Sequence, residues 1–72
     1  PSTALERRQL GDRLEQAIRR LPVLQREALL LAEVRDMSLE EIATITGSPR
    51  EAVKSRLRYA RAKLGEWLAD ER

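Results

Sequence analysis

Two helix starts ten residues apart, with one glycine between them, restrict the folds open to this chain more than any other feature. Ser38-Leu39-Glu40-Glu41 and Ser48-Pro49-Arg50-Glu51 both have the S-x-x-E spacing of a capping box. In such a box the serine hydroxyl accepts from an otherwise unpaired N–H and the glutamate reaches back to the cap. The second box also predicts Pro49 at the first helical position, where its missing N–H costs nothing and its φ is already set. Gly47 supplies the left-handed residue that ends the first short helix and lets the chain turn at once into the second. A short helix, a tight glycine turn and a longer helix are the layout of a helix-turn-helix.

Charge singles out the second of these helices. From Arg50 to Lys63 the chain carries Arg50, Lys54, Arg56, Arg58, Arg61 and Lys63 against a single acid, Glu51, a local net charge of plus five. Residues 1–47 hold seven arginines against eight acids, so the overall charge of plus two conceals a concentrated basic segment. A basic stripe on a helix is by itself more often a solvated face than a binding site. Joined to the double cap and the glycine turn, it suits a polyanion, because each phosphate neutralised releases condensed counterions.

Periodicity separates the buried side of that helix from the exposed one. Val53, Leu57, Ala60, Leu64 and then Trp67 or Leu68 recur in steps of three or four, a single apolar stripe that must face the domain. At about 100° per residue, the opposite side carries Glu51, Lys54, Ser55, Arg58 and Ala62, flanked by Arg50 and Arg61. Lys54, Ser55 and Arg58 carry donors suited to guanine O6 and N7 or to phosphate oxygens. Glu51 either accepts from cytosine N4 or completes the cap, and helix initiation is the first assignment for both Glu41 and Glu51. Tyr59 lies toward one flank of the apolar stripe, where packing is its default role and phosphate contact through its hydroxyl the alternative. Trp67 is expected to anchor the last helix to the core.

The remainder of the chain predicts two more helices in one small all-α domain. Thr3-Ala4-Leu5-Glu6 is a third capping box, opening a helix over residues 4–20 whose apolar stripe is Leu10, Leu14, Ala17, Ile18 and Leu21. Leu21-Pro22 interrupts it, since proline disfavours helical geometry in the residue before it. A second helix follows over 23–34. Its contiguous Leu29, Leu30 and Leu31, with Leu24, Ala28 and Val34, exceed one narrow stripe, so it is expected to be the central strut of the core. Asp36 suits a left-handed connection. The third helix, over 39–46, is expected to bury Leu39, Ile42, Ala43 and Ile45, and the fourth runs over 49–68. Pro1-Ser2 reads as a linker remnant, and residues 69–72 are expected to fray.

Composition excludes several classes of function. With 72 residues the chain allows one domain, and a domain of this size buries only about 60% of its unfolded surface. There is no room for a deep catalytic cavity. Cysteine and histidine are both absent, which excludes disulfides and a thiolate metal site and argues against a zinc site; no cofactor is expected. No nucleophile is paired with a histidine or thiol, and no glycine-rich phosphate loop is present, so the chain is read as a binding module and not an enzyme. The longest apolar run, Ala28 to Ala32, is five residues, far short of the roughly 18 of a membrane span. An aromatic content of 3% argues for duplex DNA over single strands, which are gripped by stacking platforms.

Taken in order, Leu21-Pro22 with Arg26, Ser38-Leu39-Glu40-Glu41-Ile42-Ala43, Gly47-Ser48, Val53-Lys54-Ser55-Arg56-Leu57, Ala60-Arg61 and Leu64 resemble region 4 of bacterial sigma factors, in particular the extracytoplasmic-function group. The resemblance spans Leu14 to Leu68 and is specific through order and spacing. It implies a domain that recognises the minus-35 promoter element in duplex DNA, with the fourth helix in the major groove. It also implies attachment to the β flap of the RNA polymerase core and masking by an anti-sigma factor. The chain would then be a monomeric domain of a longer, cytoplasmic bacterial protein. Carried over by position, Lys54, Ser55, Arg58 and Tyr59 fall where the family contacts DNA, and Arg50 and Ala52 lie at the helix start beside it; Arg61 joins the candidate DNA-binding residues through its charge and its place on the flank of the exposed side. Two departures stand out: Glu51-Ala52 replaces a frequent Gly-Thr, and Asp36-Met37 replaces the usual glycine before the Ser38 cap.

Two competing functions share these features. A helix-turn-helix output domain of the response-regulator type would also bind duplex DNA, but as a dimer on paired half-sites. A sigma-like interaction module would use the same basic face to hold an acidic anti-sigma factor without touching DNA.

Overall fold

A computed structural model of the chain describes residues 3–69, in four helices: α1 (Ala4–Arg20), α2 (Val23–Glu33), α3 (Leu39–Thr46) and α4 (Arg50–Ala69). The expected bounds hold to within one residue at each end. The linker expected at Pro1-Ser2 and the fraying expected at 70–72 lie outside the described residues, while Ala69 is the last residue of α4. Among the described residues there is no strand and no helix long and apolar enough to cross a membrane.

Local chemistry sets each boundary. Thr3 caps α1: the Glu6 N–H donates to the Thr3 hydroxyl at 3.1 Å and the Thr3 N–H donates to the Glu6 carboxylate at 2.7 Å. Leu21, forced out of helical geometry by Pro22, takes an extended conformation and ends α1. The Ser38–Glu41 box at the start of α3 closes in the same reciprocal way, at 3.1 and 2.8 Å. Asp36, at φ 54°, supplies the left-handed residue between α2 and α3, a conformation that aspartate tolerates better than most side chains.

Gly47 ends α3 at φ 65° and ψ 31°. The Ser48 N–H donates to the Ala43 carbonyl at 3.0 Å and the Gly47 N–H to the Thr44 carbonyl at 3.3 Å, the paired bonds of a Schellman motif. A Cβ added at Gly47 would meet nothing within 4 Å, so a substitution there is penalised by backbone strain alone. Gly47→Ala is therefore expected to cost about 1–2 kcal/mol, read as a lower urea midpoint in circular dichroism. Gly47→Asn should recover part of the loss. An unchanged midpoint for the alanine variant would show that the turn does not need this conformation.

The remaining box, expected at Ser48–Glu51, does not form. Pro49 takes the cap position itself: its carbonyl accepts from the Ala52 and Val53 N–H groups at 3.0 and 3.2 Å, and α4 begins at Arg50. Ser48 is left one residue outside the helix. Its hydroxyl accepts instead from Arg56 Nη1 at 2.8 Å, which ties the turn to the second turn of α4.

The core is built around α4, not α2. Helix α4 packs against each of the other three helices, and its stripe of Val53, Leu57 and Ala60 is buried against Ile42 of α3, Ala28 and Leu29 of α2, and Leu21. Ile42 and Val53 are fully buried. Leu64 and Trp67 continue the stripe, and the Arg20 guanidinium of α1 stacks 4.2 Å from the Trp67 ring centroid, in cation–π geometry. Helix α2 leaves Val23, Leu24 and Leu30 exposed, as is Val34 just past its end. Its leucine run is richer than its packing.

Three other expected core positions lie at the surface. Ile45 is 65% exposed: on an eight-residue helix the face turned to α4 is covered by Leu39, Ile42 and Ala43, and Ile45 falls outside that arc. Leu10 and Leu14 are 54% and 39% exposed. Every α1 residue from Ala4 to Asp12 is exposed, because the first half of this helix extends beyond the elements that could cover it. The domain is accordingly elongated, 42 by 21 by 17 Å.

Candidate nucleic-acid interface

Burial of Val53, Leu57 and Ala60 rotates the opposite edge of α4 into solvent. Arg50, Lys54, Ser55, Arg58, Tyr59 and Arg61 are all exposed. At 1.5 Å rise per residue, Lys54 and Arg58 stand about 6 Å apart on successive turns, and Arg50 and Arg61 about 16 Å apart at the two ends of that edge. This row of donors sits on the second helix of the helix-turn-helix, which Gly47 bends away from α3.

The six expected residues are not electrostatically equivalent. Arg50 Nε donates to Glu40 Oε2 of α3 at 2.7 Å, and its Nη1 lies 3.7 Å from Glu51 Oε2. Arg61 Nη2 donates to Glu33 Oε2, the last residue of α2, at 2.8 Å. The hydrogen bond from Arg50 is the main reason that the Glu40 carboxyl sits below the ordinary carboxylate range. Among the described residues, Lys54 and Arg58 have no carboxylate within ion-pairing distance. The uncompensated positive charge is thus confined to the middle of the exposed edge.

Two further basic residues are drawn into other work. Arg56 is half-buried and braces Ser48. Lys63 lies 3.6 Å from Glu66 and 5.8 Å from the Tyr59 ring centroid. Tyr59 is 41% exposed, so its ring is not a core element. Of the plus five read from the sequence, only part is presented to a ligand.

Beside the exposed edge runs an open groove of about 550 Å³ between α4 and the α2–α3 connection. Ala32, Met37, Leu39 and Leu57 form its floor, and Lys54, Arg58 and Arg61 stand at its rim. Sequence reasoning missed it, because a groove between elements distant in the chain leaves no periodic signal. Nor did it anticipate the apolar groove of about 340 Å³ between α1 and α2, lined by Gly11, Leu14, Glu15, Ile18, Arg19, Arg26 and Leu30. Arg26 Nη1 donates to the Arg19 carbonyl at 3.2 Å, pinning the end of α1 to α2 at the edge of that groove. The unburied leucines of α1 and α2 were the available sign. Among the described residues no cluster of carboxylates could hold a metal ion.

The family model for sigma-70, region 4 matches residues 11–64, most of the chain. The chain belongs to the sigma-70 region 4 family. No curated protein and no solved structure matches it. Region 4 of sigma factors is a DNA-binding, promoter-recognising domain of transcription initiation, it engages RNA polymerase, and it is not a class of enzymes. In this sigma region 4 domain the match takes in both helices of the helix-turn-helix and every residue from Arg50 to Arg61. It begins at Gly11, past the first turns of α1 that no other helix covers.

Proposed function

We propose that this sigma region 4 domain reads the minus-35 promoter element, with α4 in the major groove, and helps to direct RNA polymerase to initiate transcription as one region of a longer bacterial sigma factor of the extracytoplasmic-function group. The supporting observation is the exposed edge at Lys54, Ser55 and Arg58, opposite the buried stripe and with no acidic partner for either cation among the described residues. Lys54 and Arg58 donate to guanine edges or phosphates, Ser55 to either, and the Tyr59 hydroxyl to a phosphate. Arg50 and Arg61 hold phosphates at the two ends. Glu51 stands beside the groove-facing edge and disfavours a phosphate or acceptor edge there, which shifts the preferred sequence away from that of relatives with Gly-Thr. Such a domain works in the bacterial cytoplasm, as a monomer on one element. Leu14, Ile18 and Leu30, which line the α1–α2 groove, offer an apolar seat for attachment to the β flap.

One observation favours a second use of the same face. The groove beside α4 has an apolar floor that phosphates cannot satisfy and a rim of three cations. An anti-sigma factor presenting aliphatic and acidic side chains together would fill it and mask Lys54 and Arg58.

The test is selection of duplexes from a randomised pool, followed by fluorescence anisotropy of the selected and scrambled sequences at several salt concentrations. One good bidentate base contact predicts at least about tenfold tighter binding of the selected duplex. Equal affinity for both would leave polyanion binding without promoter reading.

A further inference from the structure

The arginines at the two ends of the exposed edge of α4 are already engaged by carboxylates, and those carboxylates come from other helices. Glu40 of α3 takes Arg50 at 2.7 Å, and Glu33 of α2 takes Arg61 at 2.8 Å. Both pairs are exposed, with side chains 50% to 67% accessible. Nothing in the fold needs them buried, and each arginine could swing to another acceptor without uncovering the core. A carboxylate oxygen accepting from a guanidinium at this distance occupies the position a phosphate oxygen would take.

We propose that Glu33 and Glu40 are internal competitors of DNA phosphate, a brake that weakens binding at both ends of the interface and leaves discrimination to Lys54, Ser55 and Arg58 in its middle. The proposal rests on the duplex-binding function above and concerns how that binding is limited. For Arg50 or Arg61 to hold a phosphate, a carboxylate must be displaced. The displaced acid then faces the DNA without its partner and recruits a counterion. That uptake offsets one of the counterions released from DNA, so each pair flattens the dependence of affinity on salt. The ends of the edge contribute little to binding on an arbitrary sequence, where phosphate contacts are the main source of affinity. The centre, where neither Lys54 nor Arg58 is ion-paired to a described carboxylate, makes its contacts without first displacing one.

A structural role for the same pairs predicts the opposite sign. If Glu33 and Glu40 serve to aim Arg61 and Arg50 at the backbone, removing them lowers affinity. The decisive variants are Glu33→Gln, Glu40→Gln and the double variant in the whole chain, each checked by its thermal transition in circular dichroism. Glutamine keeps the shape of the side chain and removes the charge. Binding to a selected duplex and to a scrambled one is measured by anisotropy across a salt series, with Lys54→Ala/Arg58→Ala run in parallel.

The expected result is tighter binding, by about threefold to tenfold for each variant near 0.1 M salt and by a similar factor on both duplexes. The slope of log affinity against log salt should steepen by up to about 0.9 for each arginine released. If the unaltered chain binds, and loses binding in Lys54→Ala/Arg58→Ala, but the glutamine variants bind equally or more weakly with intact transitions, the brake is overturned and the DNA-binding function stands. If neither the unaltered chain nor the double glutamine variant binds any duplex, both fall. Binding that appears only in the double glutamine variant would support the brake in its strongest form.

Discussion

Lys54→Ala/Arg58→Ala is expected to abolish measurable binding of the promoter duplex while leaving the fold intact. Each residue is worth about 1–3 kcal/mol if it reads a base edge, and the two together cost about 2–6 kcal/mol, a loss of at least about thirtyfold. The upper figure assumes additivity, and side chains about 6 Å apart on one helix edge can share a contact. Salt separates the two kinds of contact: a residue that holds a phosphate lowers the salt slope by about one unit when removed, uniformly across sequences, whereas a base reader loses discrimination at one position. Both side chains are exposed and make no ion pair with a described residue, so alanine leaves no buried partner stranded and the thermal transition should barely move. Unchanged anisotropy in the double variant would remove α4 from the interface and with it the proposed function.

Ile42→Ala is expected to be the most destabilising single truncation on α3. Ile42 is fully buried where α3 meets the Val53–Leu57–Ala60 stripe, and removing such a side chain costs about 2–5 kcal/mol through lost transfer energy and the cavity left behind. A domain of this length is stable by only about 4–11 kcal/mol. The variant should therefore lose much of its folded population at physiological temperature, and its urea midpoint should fall steeply. The informative control is Ile45→Ala, three residues along the same helix. Ile45 is exposed, so its truncation should change stability by no more than about 0.5 kcal/mol. Equal losses for the two variants would contradict the packing of α3 described here.

That contrast shows where local sequence signals stop. Thr3–Glu6, Leu21-Pro22, Ser38–Glu41 and Gly47 each act within a few residues of chain, and the helices begin and end where those signals stand. Pairing of Ser48 with Glu51 was equally local on paper. It fails because Pro49 occupies the cap position and because Arg56, eight residues on, supplies the serine with a stronger, charged donor. The burial of Ile45, Leu10 and Leu14 could not be decided by spacing, because periodicity gives a direction around a helix axis and not whether another helix lies in that direction.

The interface divides in the same way. That Arg50, Lys54, Ser55, Arg58 and Arg61 face outward followed from the apolar stripe alone, and all five are exposed; Tyr59, for which the stripe gave packing as the default, is exposed as well. Which of them carry uncompensated charge did not follow from it. The Arg61–Glu33 pair joins residues 28 apart in the chain, and Arg50–Glu40 spans the turn itself. The groove floored by Ala32, Met37, Leu39 and Leu57 draws on three helices and a connection.

By itself, then, the order of residues determined four helices, a sharp turn at Gly47 and the outward edge of α4, since caps, left-handed residues and helical periodicity act over one or two turns of chain. Only the tertiary structure decided that α4 and not α2 is the hub, that Ile45 and the first leucines of α1 stay in water, and that Glu33 and Glu40 reach the arginines at either end of that edge. These depend on how close separate helices approach, and that distance is set by the packing of all the side chains between them.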